Sequence, residues 1–239
     1  MKTYESPPNI LADINVDAII KESINKDIPR AKIVDESYVA EPKSYKQVSE
    51  LVSQKTKEAH TALYQGYVES LNKVSAELDT ADKTNADSKH SQFRSLKLDE
   101  TYNHNAVLLH ELYFANCFDP HSEITMDSLP YIKLQEACGT FDDFQHEFIA
   151  CAMACGQGWA IVGFNTFLQR YVITMISNHS QDVMLGLYPL IVLDMHEHAY
   201  FRDYATDKKS YIIAMMRQLN WEVIEERFKR AEALKQVLK

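Results

Sequence analysis

The sequence predicts an α+β chain, in which an N-terminal antiparallel helical hairpin precedes an α/β domain with a three-stranded antiparallel sheet. Three observations point there. Apolar residues recur at three- and four-residue intervals over residues 44–74 and again over 101–117, with a polar stretch between. Short runs rich in β-branched residues follow at 159–164, 168–176 and 190–193. Between the two patterns, Asp119-Pro120-His121-Ser122 interrupts the chain.

Residues 1–45 hold Pro7, Pro8, Pro29 and Pro42 and no sustained amphipathic pattern. They read as a partly extended N-terminal extension, with a short helix near residues 16–24, that packs on the core or on a partner. The first hairpin helix is marked by Val48, Leu51, Val52, Thr56, Ala59, Leu63, Tyr67, Leu71 and Val74. Residues 79–91, rich in Asp, Thr, Asn and Ser, form its turn. The second helix, 101–117, carries Ala106, Leu109, His110, Tyr113 and Phe114 near one face. Two antiparallel helices of this kind can face His60 toward His110. The pattern divides the chain into the extension 1–45, a hairpin domain 46–124 and an α/β domain 125–239. In the last of these, helices at 128–137 and 141–155 precede strands 159–164 and 168–176, paired around Asn165-Thr166. The strand at 190–193 completes the sheet, and helices resume near Tyr200, at 210–219 and at 222–237. In the final helix Glu222, Glu225 and Glu226 come before Lys229, Arg230 and Lys235, the order its macrodipole favours.

Composition narrows the function. A formal net charge of −9 argues against general nucleic-acid binding, which leaves a basic footprint. It leaves room for an anionic substrate, because a local field can oppose the global charge. No apolar run is long enough to span a membrane, and the N-terminus has no signal-peptide core. Cys117, Cys138, Cys151 and Cys155 include no Cys-x-x-Cys pair. Cys151 and Cys155 share a helical face as small apolar groups, which fits a reducing, intracellular and specifically cytoplasmic setting.

The chemistry gathers at Pro189-Leu190-Ile191-Val192-Leu193-Asp194-Met195-His196-Glu197-His198-Ala199-Tyr200. A buried strand ends on a carboxylate, and an imidazole stands four residues on. That pair suits iron, manganese or zinc. By spacing alone it is equally a polar strand end with surface histidines. There is no His-Glu-x-x-His, no Gly-x-Ser-x-Gly, no phosphate-binding glycine loop and no paired Glu-x-x-His.

The stretch Asp194-Met195-His196-Glu197-His198-Ala199-Tyr200 after a Pro-led apolar strand resembles the C-terminal metal motif of the iron/manganese superoxide dismutase family, which has Trp where this chain has His196. Asp203-Tyr204, Asn220-Trp221-Glu222, Gly139-Thr140-Phe141-Asp142-Asp143-Phe144 and Gly156-Gln157-Gly158-Trp159 resemble further family motifs. So do His110-Glu111-Leu112-Tyr113-Phe114 and Tyr67-Val68-Glu69-Ser70-Leu71-Asn72, so the likeness covers roughly residues 55–230.

The resemblance implies one iron or manganese ion per chain, held by three histidines and an aspartate; both metals accept such a set. His110, Asp194 and His198 match three ligands. Counted back from Tyr67 without a gap, the first-helix ligand position falls on Ala59, and His60 follows it. One residue is about 100° of helix rotation, so His60 serves as ligand only through a one-residue π-type bulge or a different register; without either, the site has three ligands. The implied activity is disproportionation of superoxide to oxygen and hydrogen peroxide, with metal-bound solvent at an open position.

Tyr67 matches the gateway tyrosine. His179, with Gln181 behind it, matches the partner of the solvent, a glutamine in many members and a histidine in some. Trp159 and Phe114 match pocket-wall aromatics, and His196 puts a polar ring in a usually apolar surround. Glu197 matches the glutamate that reaches the partner subunit's ligand histidine in a homodimer. Leu63 and Phe201 replace a polar interface pair. Ala205 stands where a basic residue commonly follows Asp-Tyr, which leaves Arg202 and Lys208 as the nearby cations. A second reading follows from these departures: a dismutase-like fold kept as a structural subunit of a larger assembly, joined through the N-terminal extension.

Overall fold

The computed structural model describes residues 40–47, 49–117 and 122–238. The chain divides into residues 1–37 and 38–239, and every described residue lies in the second unit. The helix expected near 16–24 and the assembly role of the extension fall outside the described residues.

Residues 40–47 are extended and are tied to the hairpin by polar bonds. Asn72 Oδ1 accepts from the Ala40 N–H at 2.7 Å, and Asn72 Nδ2 donates to the Ala40 carbonyl at 3.0 Å. The first helix, α1, spans Gln54–Thr80, ten residues later than its apolar periodicity suggests. Gln47 has φ +48, which no α-helix accommodates. Ser53 then starts the helix as an N-cap by accepting from the Thr56 N–H. Asp203, from the far domain, accepts from the Ser53 N–H at 3.0 Å. Helix α2 spans Gln92–Cys117 and starts nine residues early. Its polar first turns show little apolar periodicity, but Leu96 is buried among them. Ahead of α2, Asp82 and Asp87 each accept backbone N–H groups two and three residues on, which folds the loop as Asx turns.

Helix α3, Leu129–Cys138, and α4, Phe141–Ala154, meet at Gly139, whose φ of +101 suits glycine. Thr140 caps α4 through the Asp143 N–H. Strand β1, Gly158–Asn165, is buried along its length between β2, Arg170–Ser177, and β3, Leu187–Asp194, in the antiparallel order β2-β1-β3. β2 begins two residues later than expected. Asn165 Oδ1 accepts from the N–H groups of Phe167 and Leu168, which holds both in the turn. Pro189, which cannot donate to a ladder, sits on an edge strand beside the register shift at Val162 and Gly163.

Helices α5, Glu197–Tyr204, α6, Lys208–Arg217, and α7, Trp221–Val237, close the structure. The buried Arg227 of α7 donates to Asn116 Oδ1 and to the carbonyls of Leu190 and Leu112, which ties α7 to β3 and α2. Among the described residues, no helix is long and apolar enough to cross a membrane.

Candidate metal centre

On α1, His60, Tyr64, Tyr67 and Val68 recur at helical spacing and turn toward α2, while Ala59 is exposed. The α-helix runs through Gln54–Thr80 without a π-turn, so the one-residue bulge is absent and the register accounts for His60. Seven residues of α-helix leave His60 and Tyr67 about 20° apart, so one face presents both. On α2, the His110 Nδ1–H donates to the Ala106 carbonyl, 2.6 Å away and one turn back. A carbonyl only accepts, so the hydrogen is on Nδ1 and Nε2 keeps its lone pair.

Asp194 ends β3. It pairs with Trp159 in the ladder, and its carbonyl accepts from the Tyr211 hydroxyl at 2.8 Å. The first turn of α5 brings His198 back over it. Oδ2 of Asp194 lies 3.1 Å from Nε2 of His60, 3.1 Å from Nε2 of His198 and 3.8 Å from Nε2 of His110. The four donor atoms lie within 4.8 Å of one another.

His60, His110 and Asp194 are buried, whereas the His198 side chain keeps 31% of its exposure and marks the open side. Burial lowers the pKa of His60 and, more strongly, that of His110, so both imidazoles are neutral. Burial pushes Asp194 up, but the His198 charge and bonds from His196, His198 and His60 outweigh it, so the carboxyl sits well below its ordinary range. The Nε2 of His110 is a buried nitrogen without a hydrogen-bond partner. An orphaned lone pair beside a carboxylate and two further imidazoles fits a hard-to-borderline cation.

A chain of bonds runs outward from this cluster. The buried Trp159 N–H donates to His179 Nδ1 at 3.0 Å, and His179 Nε2 lies 3.0 Å from the Tyr67 hydroxyl. An indole only donates, so Nδ1 accepts and the imidazole hydrogen is on Nε2, directed at Tyr67. Burial and the neighbouring His196 lower the His179 pKa to about 4, which keeps it neutral. Burial raises the Tyr67 pKa, and a hydrogen bond with Tyr102 adds to it. Phe114 and Trp159 line the cluster, with ring centroids 5.0 Å from His60 and 4.9 Å from His110 respectively.

His196 is also in contact with the cluster. Its backbone N–H and its ring Nδ1 both lie 2.8 Å from Asp194 Oδ1. Gln181, expected behind His179, is exposed and pairs through its backbone with Ser177 across the turn; its side chain stays outside. The Lys208 ammonium donates to the Cys155 carbonyl at 2.7 Å and caps α4. Glu197, Phe201 and Arg202 are exposed on α5.

Three further contributors carry no motif that marks them. Tyr102 sits half-buried against His179, its ring centroid 4.7 Å away. Tyr64 donates to Glu111, which is also paired with Lys43 of the extended strap. Tyr211 holds the Asp194 carbonyl and lies 2.9 Å, hydroxyl to hydroxyl, from Tyr113. Helical spacing assigns all of them to packing faces, and only the partner across the fold reveals the polar role.

Several known proteins are similar to this chain in sequence. Residues 131–227 match the family described as iron/manganese superoxide dismutases, C-terminal domain. The iron superoxide dismutase of Aquifex pyrophilus is 39% identical over 189 residues, covering 76% of this chain and 86% of that protein. The iron enzyme of Aquifex aeolicus is 38% identical over the same shares. The manganese superoxide dismutase of Mycobacterium leprae is 27% identical over 180 residues, 75% of this chain and 85% of that one.

Proposed function

The chain belongs to the iron/manganese superoxide dismutase family, and from that we propose that His60, His110, Asp194 and His198 hold one iron or manganese ion at which superoxide is disproportionated. The observation that carries the reading is the convergence of four donor atoms within 4.8 Å, three of the four side chains being buried. When bound, the ion supplies alternating one-electron oxidation and reduction, which turns two superoxide ions and two protons into oxygen and hydrogen peroxide.

The protein supplies the rest. Two neutral imidazoles and an ionised carboxylate present lone pairs without first losing protons. Asp194 contributes the single negative charge. Phe114 and Trp159 exclude bulk water from the ligands. The His179 Nε2–H and the Tyr67 hydroxyl form the proton-bearing pair on the path outward. Tyr67 is half-buried, so it is the member that meets arriving solvent.

Each proposed domain gives half the ligands: His60 and His110 come from 46–124, Asp194 and His198 from 125–239. The homodimer reading is supported by exposed Glu197 and Phe201 beside the partly open His198, with Phe201 51% exposed. In that reading Glu197 reaches the other subunit's ligand histidine. Four free cysteines suit a reducing cytoplasm.

Metal analysis and a dismutation assay on wild type and His60→Ala test the proposal. Near-stoichiometric iron or manganese in the wild type is expected, with both metal and activity lost in the variant. Metal-free wild-type protein that stays inactive after reconstitution with either metal would refute it and favour the structural-subunit reading.

A further inference from the structure

We infer that His196 is a positioning residue for the metal centre, fixing Asp194 as a one-atom ligand. The inference rests on the metal-centre reading above and adds a role for a residue outside the four ligands. Asp194 divides its two oxygens between different neighbours. Oδ2 faces the ligand histidines, at 3.1 Å from His60 and His198 and 3.8 Å from His110. Oδ1 is held by His196 twice, by the backbone N–H and by ring Nδ1, each at 2.8 Å. An ionised carboxylate only accepts, so Nδ1 of His196 carries the hydrogen.

Two donors on one oxygen set both the rotation of the carboxylate plane and the identity of the free atom. A carboxylate held only by the backbone N–H could turn and offer both oxygens to an ion. Held twice, it offers Oδ2 alone. The His196 ring is itself fixed: it is buried, stacks on His198 with an interplanar angle of 12°, and meets Trp159 edge-on at 5.6 Å. Outer partners of this kind typically change metal affinity by about 10- to 100-fold when removed.

The test is calorimetric titration of metal-depleted full-length protein with Mn²⁺, together with the electron paramagnetic resonance spectrum of the loaded protein. Three variants separate shape from donation. Asn places an amide N–H where His196 has Nδ1; Gln carries its amide one carbon further out; Phe keeps a ring and donates nothing. His196→Asn is expected to bind within about threefold of wild type with an unchanged spectrum. His196→Gln and His196→Phe are expected to bind about 10- to 100-fold more weakly, with an altered Mn²⁺ signal. Equal affinity and equal spectra for wild type, Asn and Gln overturn the positioning role even where Phe fails to fold. Wild-type protein that takes up neither Mn²⁺ nor, in a parallel anaerobic titration, Fe²⁺ overturns the metal-centre reading, and this inference with it.

Discussion

A single hydrogen decides what His179 can do. Trp159 donates into its Nδ1, so Nε2 must donate outward, and Tyr67 receives that bond. A glutamine can play both parts, its carbonyl accepting from the indole and its amide donating to the phenol. His179→Gln is therefore expected to keep most of the activity, while His179→Leu loses about 10- to 100-fold at unchanged metal content. Steady-state dismutation beside metal analysis distinguishes them, and equal activity in both variants would remove His179 from the mechanism. At this scale the sequence was legible wherever a motif carried the residue, as for His110, Asp194 and His198. It was least legible at His60, because a one-residue offset along a helix cannot be weighed without the register of the facing helix. Gln181 lies outside the cluster for a local reason: the turn that closes β2 buries His179 and leaves Gln181 at the surface.

Element boundaries followed backbone chemistry more closely than apolar periodicity. The first helix waits for Ser53 because Gln47 takes a positive φ, and β2 waits for Arg170 because Asn165 holds the two residues after Thr166 in a turn. Neither signal is visible in hydrophobic spacing, which is why type and order of elements were readable and their ends were not. Gly156 and Gly158 make the same point, since the sequence gives them equal standing in one motif. Gly158 has φ +152, and a Cβ there would lie 1.9 Å from the Ile176 carbonyl oxygen; a Cβ on Gly156 meets nothing within 4 Å. Gly158→Ala must push β1 away from β2 just where Trp159 and Asp194 pair. A loss of about 3–5 kcal/mol is expected for it, against less than about 0.5 kcal/mol for Gly156→Ala. Denaturant midpoints measure both, and similar midpoints would mean that the strand pair gives way at little cost.

At the scale of the molecule, the ligands clamp two layers together, because the hairpin and the sheet domain meet at a cluster that must stay unprotonated. His60, His110 and His179 have pKa values lowered by burial, to about 4 for His179, against an ordinary 6.5. Between those values the unfolded chain binds more protons than the folded one, so stability rises with pH. The contribution is complete above about pH 6.5 and is lost as the pH falls toward the folded values, at up to about 1.4 kcal/mol per pH unit for each imidazole. Asp194, also held below its ordinary value, adds a loss of the same sign only in stronger acid. Metal-depleted protein should therefore show urea midpoints that are level above pH 7 and fall steeply between pH 6.5 and 4. The same lowered values mean that folded protein has already shed the protons a cation would displace from His60, His110 and Asp194. Mn²⁺ uptake at pH 6 should then release well under one proton from these three groups, which calorimetry in buffers of different ionisation enthalpy measures directly. Release of about 1.5 protons from them, the amount two imidazoles of ordinary pKa hold at pH 6, or midpoints flat down to pH 5, would mean that the two buried imidazoles titrate as they do in water and that folding does not prepare the site.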